Sequence, residues 1–212
     1  MALPEKIKNI IFDLGDVIIN IDVPLAARSF AQLCGQEETE VLELFKEKEL
    51  FRQFETGKLD EAAFRTYVRE ILKQEHWDDA AINKAWNALL LDIPPARIEL
   101  LQKLKERYRL FLLSNTSSIH IAEVNQILES TTGIPRLDGL FEKLFLSYEM
   151  GLMKPDPEIY HQVLLEAGIR AEETLFLDDN ADNIRAAAEI GIHTIHVQKP
   201  TTILDYLKDY VA

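Results

Sequence analysis

A chain of 212 residues with 47% hydrophobic and 28% charged side chains holds enough apolar material for one core domain, or a core with a small insertion, and is not disordered. Its formal net charge of -13 repels polyanions, which excludes nucleic acid and anionic membrane as main partners while leaving room for a phosphorylated small molecule held with a cation. The one cysteine, Cys34, rules out an internal disulfide, fits a reducing compartment, and reads as a small buried hydrophobe rather than a nucleophile. Met1 to Lys6 lacks the apolar stretch of a signal peptide and no apolar run is long enough to span a bilayer, so a cytoplasmic location is expected.

The first element is the apolar run Asn9-Ile10-Ile11-Phe12, which drives into Asp13-Leu14-Gly15. A buried strand there delivers the Asp13 carboxylate to its C-terminal edge, where ligands bind in open α/β sheets. Ile18 to Asp22 reads as a short extended flap. From Pro24 to about Leu91 the apolar residues recur at helical spacing, as in Phe64, Tyr67, Val68 and Ile71, with connections at Thr56-Gly57 and near Asp78-Asp79. This predicts a helical insertion, a small four-helix cap over residues 23–92, between two parts of a core formed by 1–22 and 93–212. Trp77 and Trp86 fit the core of that bundle.

Pro94-Pro95 punctuates the return to the core, followed by a helix through Leu100, Leu101 and Leu104. A second strand, Tyr108 to Leu113, runs into Ser114-Asn115-Thr116, and a helix from about Ile119 to Leu128 follows. A third strand near Lys143 to Ser147 leads to Met153-Lys154-Pro155, with Asp156 as N-cap and Pro157 as first residue of a helix to Ala167. Thr174 to Leu177 makes a fourth strand ending in Asp178-Asp179-Asn180. A helix through Ile184, Ala187 and Ile190 stops at Gly191, and His193 to Val197 is a fifth strand. Alternating strands and helices call for crossover units, so the expected fold is α/β: a Rossmann-like parallel sheet with helices on both faces and an inserted all-helical cap.

Every core strand but the last ends in, or leads by a short loop to, a reactive group: Asp13, Ser114, Lys154, then Asp178 and Asp179. Parallel strands put these ends on one edge, so groups far apart in sequence converge. Each alone reads equally well as a turn, a cap or a surface lysine; four in this order point to a site.

With these residues in place, the chain resembles the haloacid dehalogenase-like hydrolase superfamily, in the subclass with a helical cap after the first motif. Phe12-Asp13-Leu14-Gly15-Asp16-Val17 is similar to its first motif, Leu113-Ser114-Asn115-Thr116 to its second, Met153-Lys154-Pro155 to its third and Phe176-Leu177-Asp178-Asp179-Asn180 to its fourth. Ser114-Asn115-Thr116, Lys154-Pro155 and Asp178 through Ile184 look most like the bacterial sugar-phosphatases of glucose-1-phosphatase type. The resemblance implies an aspartate nucleophile at Asp13, a phosphoaspartyl intermediate and a Mg²⁺ ion held by Asp13, the Gly15 carbonyl, Asp179 and, through water, Asp178. It implies phosphate contacts from Ser114, Asn115 and Lys154, with a small-molecule phosphate ester as partner and a monomer or homodimer as the working form. The chemistry matches the residue types, because a carboxylate attacking a phosphate dianion needs positive charge around the transferring group.

One position departs from the pattern. Most phosphatases of this superfamily carry a second aspartate two residues past the nucleophile, as the general acid, and here that position is Gly15. Asp16 lies one residue later, where an extended segment points its side chain the other way. A slower phosphatase, a leaving group that needs little protonation, or lost catalysis remain open. A sugar 1-phosphate tolerates the missing acid best, since an anomeric hydroxyl is more acidic than an ordinary alcohol. Dehalogenation of a 2-haloacid would also dispense with the acid, but leaves the like-charge pair Asp178-Asp179 unexplained. A phosphate-binding module without turnover is the other alternative. Substrate choice is expected in the cap around Arg52, Glu55, Thr56, Gly57 and Lys58, with His120 close behind the second motif and Asn183 supporting the fourth.

Overall fold

The computed structural model describes residues 6–45 and 48–210. Five strands, β1 (Asn9–Phe12), β2 (Arg109–Ser114), β3 (Lys143–Leu146), β4 (Thr174–Asp178) and β5 (His193–His196), form one parallel sheet in the order β3-β2-β1-β4-β5. The central strand β1 is buried along its whole length, as its unbroken apolar sequence requires.

Strand alternation divides the core in two. Ile10, Phe12, Leu110, Leu112, Leu175 and Leu177 face α6 (Pro95–Leu104), α7 (Ser118–Thr132) and α11 (Ile203–Tyr206). Ile11, Phe111, Leu113, Phe145 and Phe176 face α9 (Pro157–Ala167) and α10 (Ala181–Glu189). Each such side chain contributes about 1.5–3 kcal/mol by leaving water, which fixes the register of every strand.

Within the insertion, the described residues form five helices where four were expected: α1 (Pro24–Cys34), α2 (Glu38–Phe45), α3 (Lys48–Glu55), α4 (Glu61–Leu72) and α5 (Asp79–Asn87). Gly35, at φ 68°, ends α1 in a left-handed turn. These helices enclose their own core of Phe30, Phe54, Phe64, Val68, Leu72 and Trp86. The expected flap pairs across the base of the insertion, where Ile21 bridges Leu90 in antiparallel fashion and Asn20 and Asp22 bond Leu91, Asp92 and Leu89.

Helix α7 is longer than its apolar periodicity suggests, because Ser117 caps its start through the His120 N–H at 3.3 Å and Gly133, at φ 76°, closes it. Two short helices have no sequence counterpart in the expectation: α8 (Ser147–Met150) directly after β3, and α11. No helix among the described residues is long and apolar enough to cross a membrane.

Candidate active site

Sheet register builds the site. Phe12 pairs with Leu177 on one side and Leu112 on the other, and the Asp13 N–H continues the ladder to the Leu177 carbonyl at 2.8 Å. Asp13 and Asp178 therefore leave adjacent strands at the same level. The chain moves outward from β1 through β2 to β3, then returns to β4 on the other side, so this is also the topological switch point, where open sheets bind ligands.

The loop after β3 brings Lys154 into the same place. Its Nζ donates to Asp13 Oδ1 at 2.6 Å, Asp178 Oδ2 at 2.7 Å and the Leu113 carbonyl at 2.9 Å. The protein thus supplies three acceptors to the ammonium, and Lys154 holds Asp13 as the sequence reading expected. Burial opposes its charge, yet Asp13 and Asp178 outweigh that and hold the ammonium above its ordinary pKa. Burial drives the Asp13 carboxyl upward against the pull of Lys154, and Asp178 adds to the rise.

Asp178 is fully buried and its oxygens accept from Lys154, the Asn180 N–H at 2.8 Å and the Asn183 amide at 3.0 and 3.1 Å. Asp179, next in the chain, reaches the surface, and the partial desolvation of its carboxyl, with the charges of Asp178 and Asp16, raises its pKa. One oxygen from each of Asp13, Asp178 and Asp179 lies within 4.8 Å of the others. Three carboxylates against one ammonium leave excess negative charge that a hard divalent cation would balance, and an all-oxygen donor set suits Mg²⁺. Asp178, already saturated by protein donors, fits as a support to such an ion through water rather than a direct ligand.

Ser114 ends β2 and is buried, and its hydroxyl makes only a 3.5 Å contact with the Asn115 carbonyl. Asn115 grips the backbone of Lys154: its amide nitrogen donates to the Lys154 carbonyl and its oxygen accepts the Lys154 N–H, both at 2.8 Å. Ser147 was not foreseen. Its hydroxyl, fully buried, accepts the Thr116 N–H at 2.9 Å and donates to the Thr116 carbonyl at 3.1 Å, tying the loop after β2 to the end of β3.

The Gly15 position has no space for an acid as the side chains stand, since a Cβ there would lie 2.8 Å from Cδ1 of Ile21. Asp16 has φ 53° and its carboxylate is engaged by Lys199 at 2.8 Å and the Ile21 N–H at 3.2 Å.

The family model for haloacid dehalogenase-like hydrolases matches residues 7–191, which includes every residue of this cluster. The chain belongs to that family. A D-ribitol-5-phosphate phosphatase of Bacteroides thetaiotaomicron is 31% identical over 188 residues, covering 89% of this chain and 90% of that one. The crystal structure of the HAD family enzyme bt-2542 from the same species, in complex with magnesium and inorganic phosphate, superposes with a TM-score of 0.85 at 38% identity, covering 92% of this chain and 96% of the other. A predicted HAD-like family hydrolase of Porphyromonas gingivalis gives 0.87 at 28% identity, covering 97% and 98%.

In this haloacid dehalogenase-like hydrolase the helical insertion faces the cluster across a cleft. A cavity of about 460 Å³ lies between α3 and the Lys154 loop, lined by Phe51, Arg52, Glu55, Trp86, Met153 and Lys154 among others. Trp86 belongs to the bundle core, as expected, and also walls this cavity, while Trp77 stacks on Phe30 with centroids 6.2 Å apart. Thr56 is buried and bonds the Arg52 carbonyl at 2.8 Å, and Lys58 lines a neighbouring cavity. Gly57 packs directly on the backbone of Tyr148. His120 is buried behind Trp86, its ring stacked at 4.9 Å and its Nδ1 2.8 Å from Asn87 Oδ1, and burial depresses its pKa to about 4.

Proposed function

We propose that this hydrolase is a Mg²⁺-dependent phosphatase of a small phosphorylated metabolite, a sugar or polyol phosphate, working through a phosphoaspartyl intermediate on Asp13. The observation that carries the reading is Lys154 bonded at once to Asp13 and Asp178, with Asp179 completing the acidic cluster. The relatives support it: one is named for a polyol phosphate, and one holds magnesium and phosphate.

In this reading Asp13, Asp179 and the Gly15 carbonyl hold Mg²⁺, with Asp178 behind them, and the ion supplies charge neutralisation and alignment of the phosphate. Lys154 keeps Asp13 ionised and fixes one of its oxygens, leaving the other to attack phosphorus in line with the departing alcohol. The Ser114 hydroxyl and backbone N–H groups of the Ser114-Asn115-Thr116 loop hold phosphoryl oxygens. Residues 23–92 act as a cap that closes the cleft against water over a core of 1–22 and 93–212. With Gly15 in place of the usual acid, a hexose 1-phosphate, whose leaving hydroxyl is the more acidic, is the favoured form of substrate.

The test is phosphate release from a panel of hexose 1-phosphates, hexose 6-phosphates, polyol phosphates and nucleotides, with and without Mg²⁺, for the wild type and Asp13→Asn. Turnover that requires Mg²⁺ and vanishes in the variant is expected, with 1-phosphates ahead. Absence of release from every member by the folded, Mg²⁺-loaded protein would sink the proposal.

A further inference from the structure

Glu55 ends α3 in the wall of the cleft, sharing its cavity with Lys154, Phe51, Trp86 and Met153. It also borders a second cavity of about 490 Å³ behind Trp86, which His120 and Leu89 help to line. Two cavities therefore meet at one carboxylate. Among the described residues Glu55 has no hydrogen-bond or ion-pair partner. Enclosure by protein, with no neighbouring charge offsetting it, pushes its pKa up to about 7.

Glu55 is half-buried and faces both cavities, and a carboxyl placed in a cleft wall without a protein partner is free to meet a polar group of a ligand. Phe51, Trp86, Met153 and Pro155 offer apolar area, the Lys154 donors are engaged with Asp13, Asp178 and Leu113, and Asp156 is an exposed helix cap at the rim. Arg52 is exposed, where its charge is screened.

We propose that Glu55 reads a hydroxyl group on the leaving-group portion of the substrate, and so sets a preference for neutral, hydroxylated phosphate esters over apolar or anionic ones. This rests on the phosphatase reading of the same cleft and adds the part of the substrate that the cap recognises. In its protonated form Glu55 donates to the hydroxyl oxygen and accepts the hydroxyl proton. A second phosphate or carboxylate on the substrate would meet an acid that ionises against it, whereas an apolar leaving group would leave the carboxyl unsatisfied. The charged and titratable groups that share the two cavities with Glu55 are Arg52, Glu43, His120, Lys154 and Asp156.

The experiment compares steady-state kinetics of wild type, Glu55→Ala and Glu55→Gln on D-ribitol 5-phosphate, a hexose 1-phosphate and p-nitrophenyl phosphate, with Mg²⁺ and with melting curves as a check on folding. The expected result is a KM for the hydroxylated esters raised about ten- to a hundredfold in Glu55→Ala. For p-nitrophenyl phosphate, which offers no hydroxyl, kcat/KM does not fall and rises where the carboxyl had been left unsatisfied. Glu55→Gln keeps a donor and an acceptor, so it retains most of the affinity, and it loses the rise in KM that the wild type shows as pH passes 7. Equal loss on all three substrates, no loss on any, or a wild type that prefers p-nitrophenyl phosphate to both hydroxylated esters overturns the proposal. A wild type that releases phosphate from none of them identifies the failure as that of the phosphatase reading itself.

Discussion

At the scale of single residues, the site is a set of charges held by neutral side chains. Lys154 could not stay charged in the sheet edge without Asp13 and Asp178, and the backbone that carries it is positioned by Asn115 through two bonds of 2.8 Å. Asn115→Ala should therefore cost about 1–3 kcal/mol of stability, from two hydrogen bonds at about 0.5–1.5 kcal/mol each. It should also lower kcat about ten- to a hundredfold by letting Lys154 drift, with KM for the phosphate ester nearly unchanged. Denaturant titration and initial rates check this; a raised KM with normal kcat would mean that Asn115 serves the substrate instead. The apolar runs made Asp13, Ser114, Lys154, Asp178 and Asp179 legible as strand-end groups. Nothing local distinguished Asn115 as a clamp or Ser147 as a tie, because their partners lie 39 and 31 residues away.

At the scale of elements, the insertion is seated on the core by a few defined contacts. Trp86 donates to Ser117 at 3.3 Å, Ser118 donates to Glu61 at 2.7 Å, and Gly57 lies against Tyr148. Gly57 has φ 68°, and a Cβ there would fall 2.1 Å from the Tyr148 carbonyl oxygen, so backbone must move to admit any side chain. Gly57→Ala should displace the α3–α4 connection, cost about 1–3 kcal/mol, and reduce kcat/KM by about tenfold or more. Gly35→Ala is the control: it shares φ 68° but meets nothing within 4 Å. It should cost about 1–2 kcal/mol through backbone strain alone and leave kcat/KM intact. Equal kinetic effects in the two variants would show that the seat on Tyr148 does not govern the cleft. Helical periodicity announced the insertion, but not which loop touches the core.

At the scale of the molecule, half-buried Glu55 and buried His120 bend the dependence of stability on pH in opposite directions. Glu55 ionises only near pH 7 when folded but near 4.5 when unfolded, so the stability it contributes is present below 4.5 and lost as pH rises to about 7. His120 protonates near 4 when folded and near 6.5 when unfolded, so its penalty grows as pH falls from 6.5 to about 4. Each spans up to about 3 kcal/mol, less for Glu55 because the cavity admits water. The two nearly cancel in the wild type. Relative to it, Glu55→Gln should gain stability as pH climbs from 4.5 to 7, whereas His120→Gln should gain as pH drops from 6.5 to 4. Unfolding free energies of the three proteins across that range decide the matter, and variants that run parallel to the wild type would contradict the assignment.

The sequence by itself determined the parallel α/β core, the helical insertion after the first strand, and the strand-end residues that carry reactive groups. It could do so because strand burial and helical periodicity are local patterns, and parallel strands have one edge for all their C-terminal ends. Only the tertiary structure decided how those groups are engaged. The register of β1 against β4 set Asp13 beside Asp178, the ammonium of Lys154 was shared between them, and Ile21 took the space beside Gly15. Hydrogen bonds and desolvation act between residues that the chain separates and packing brings together, so the partners of Asn115, Asp16 and Glu55 had no local signature to read.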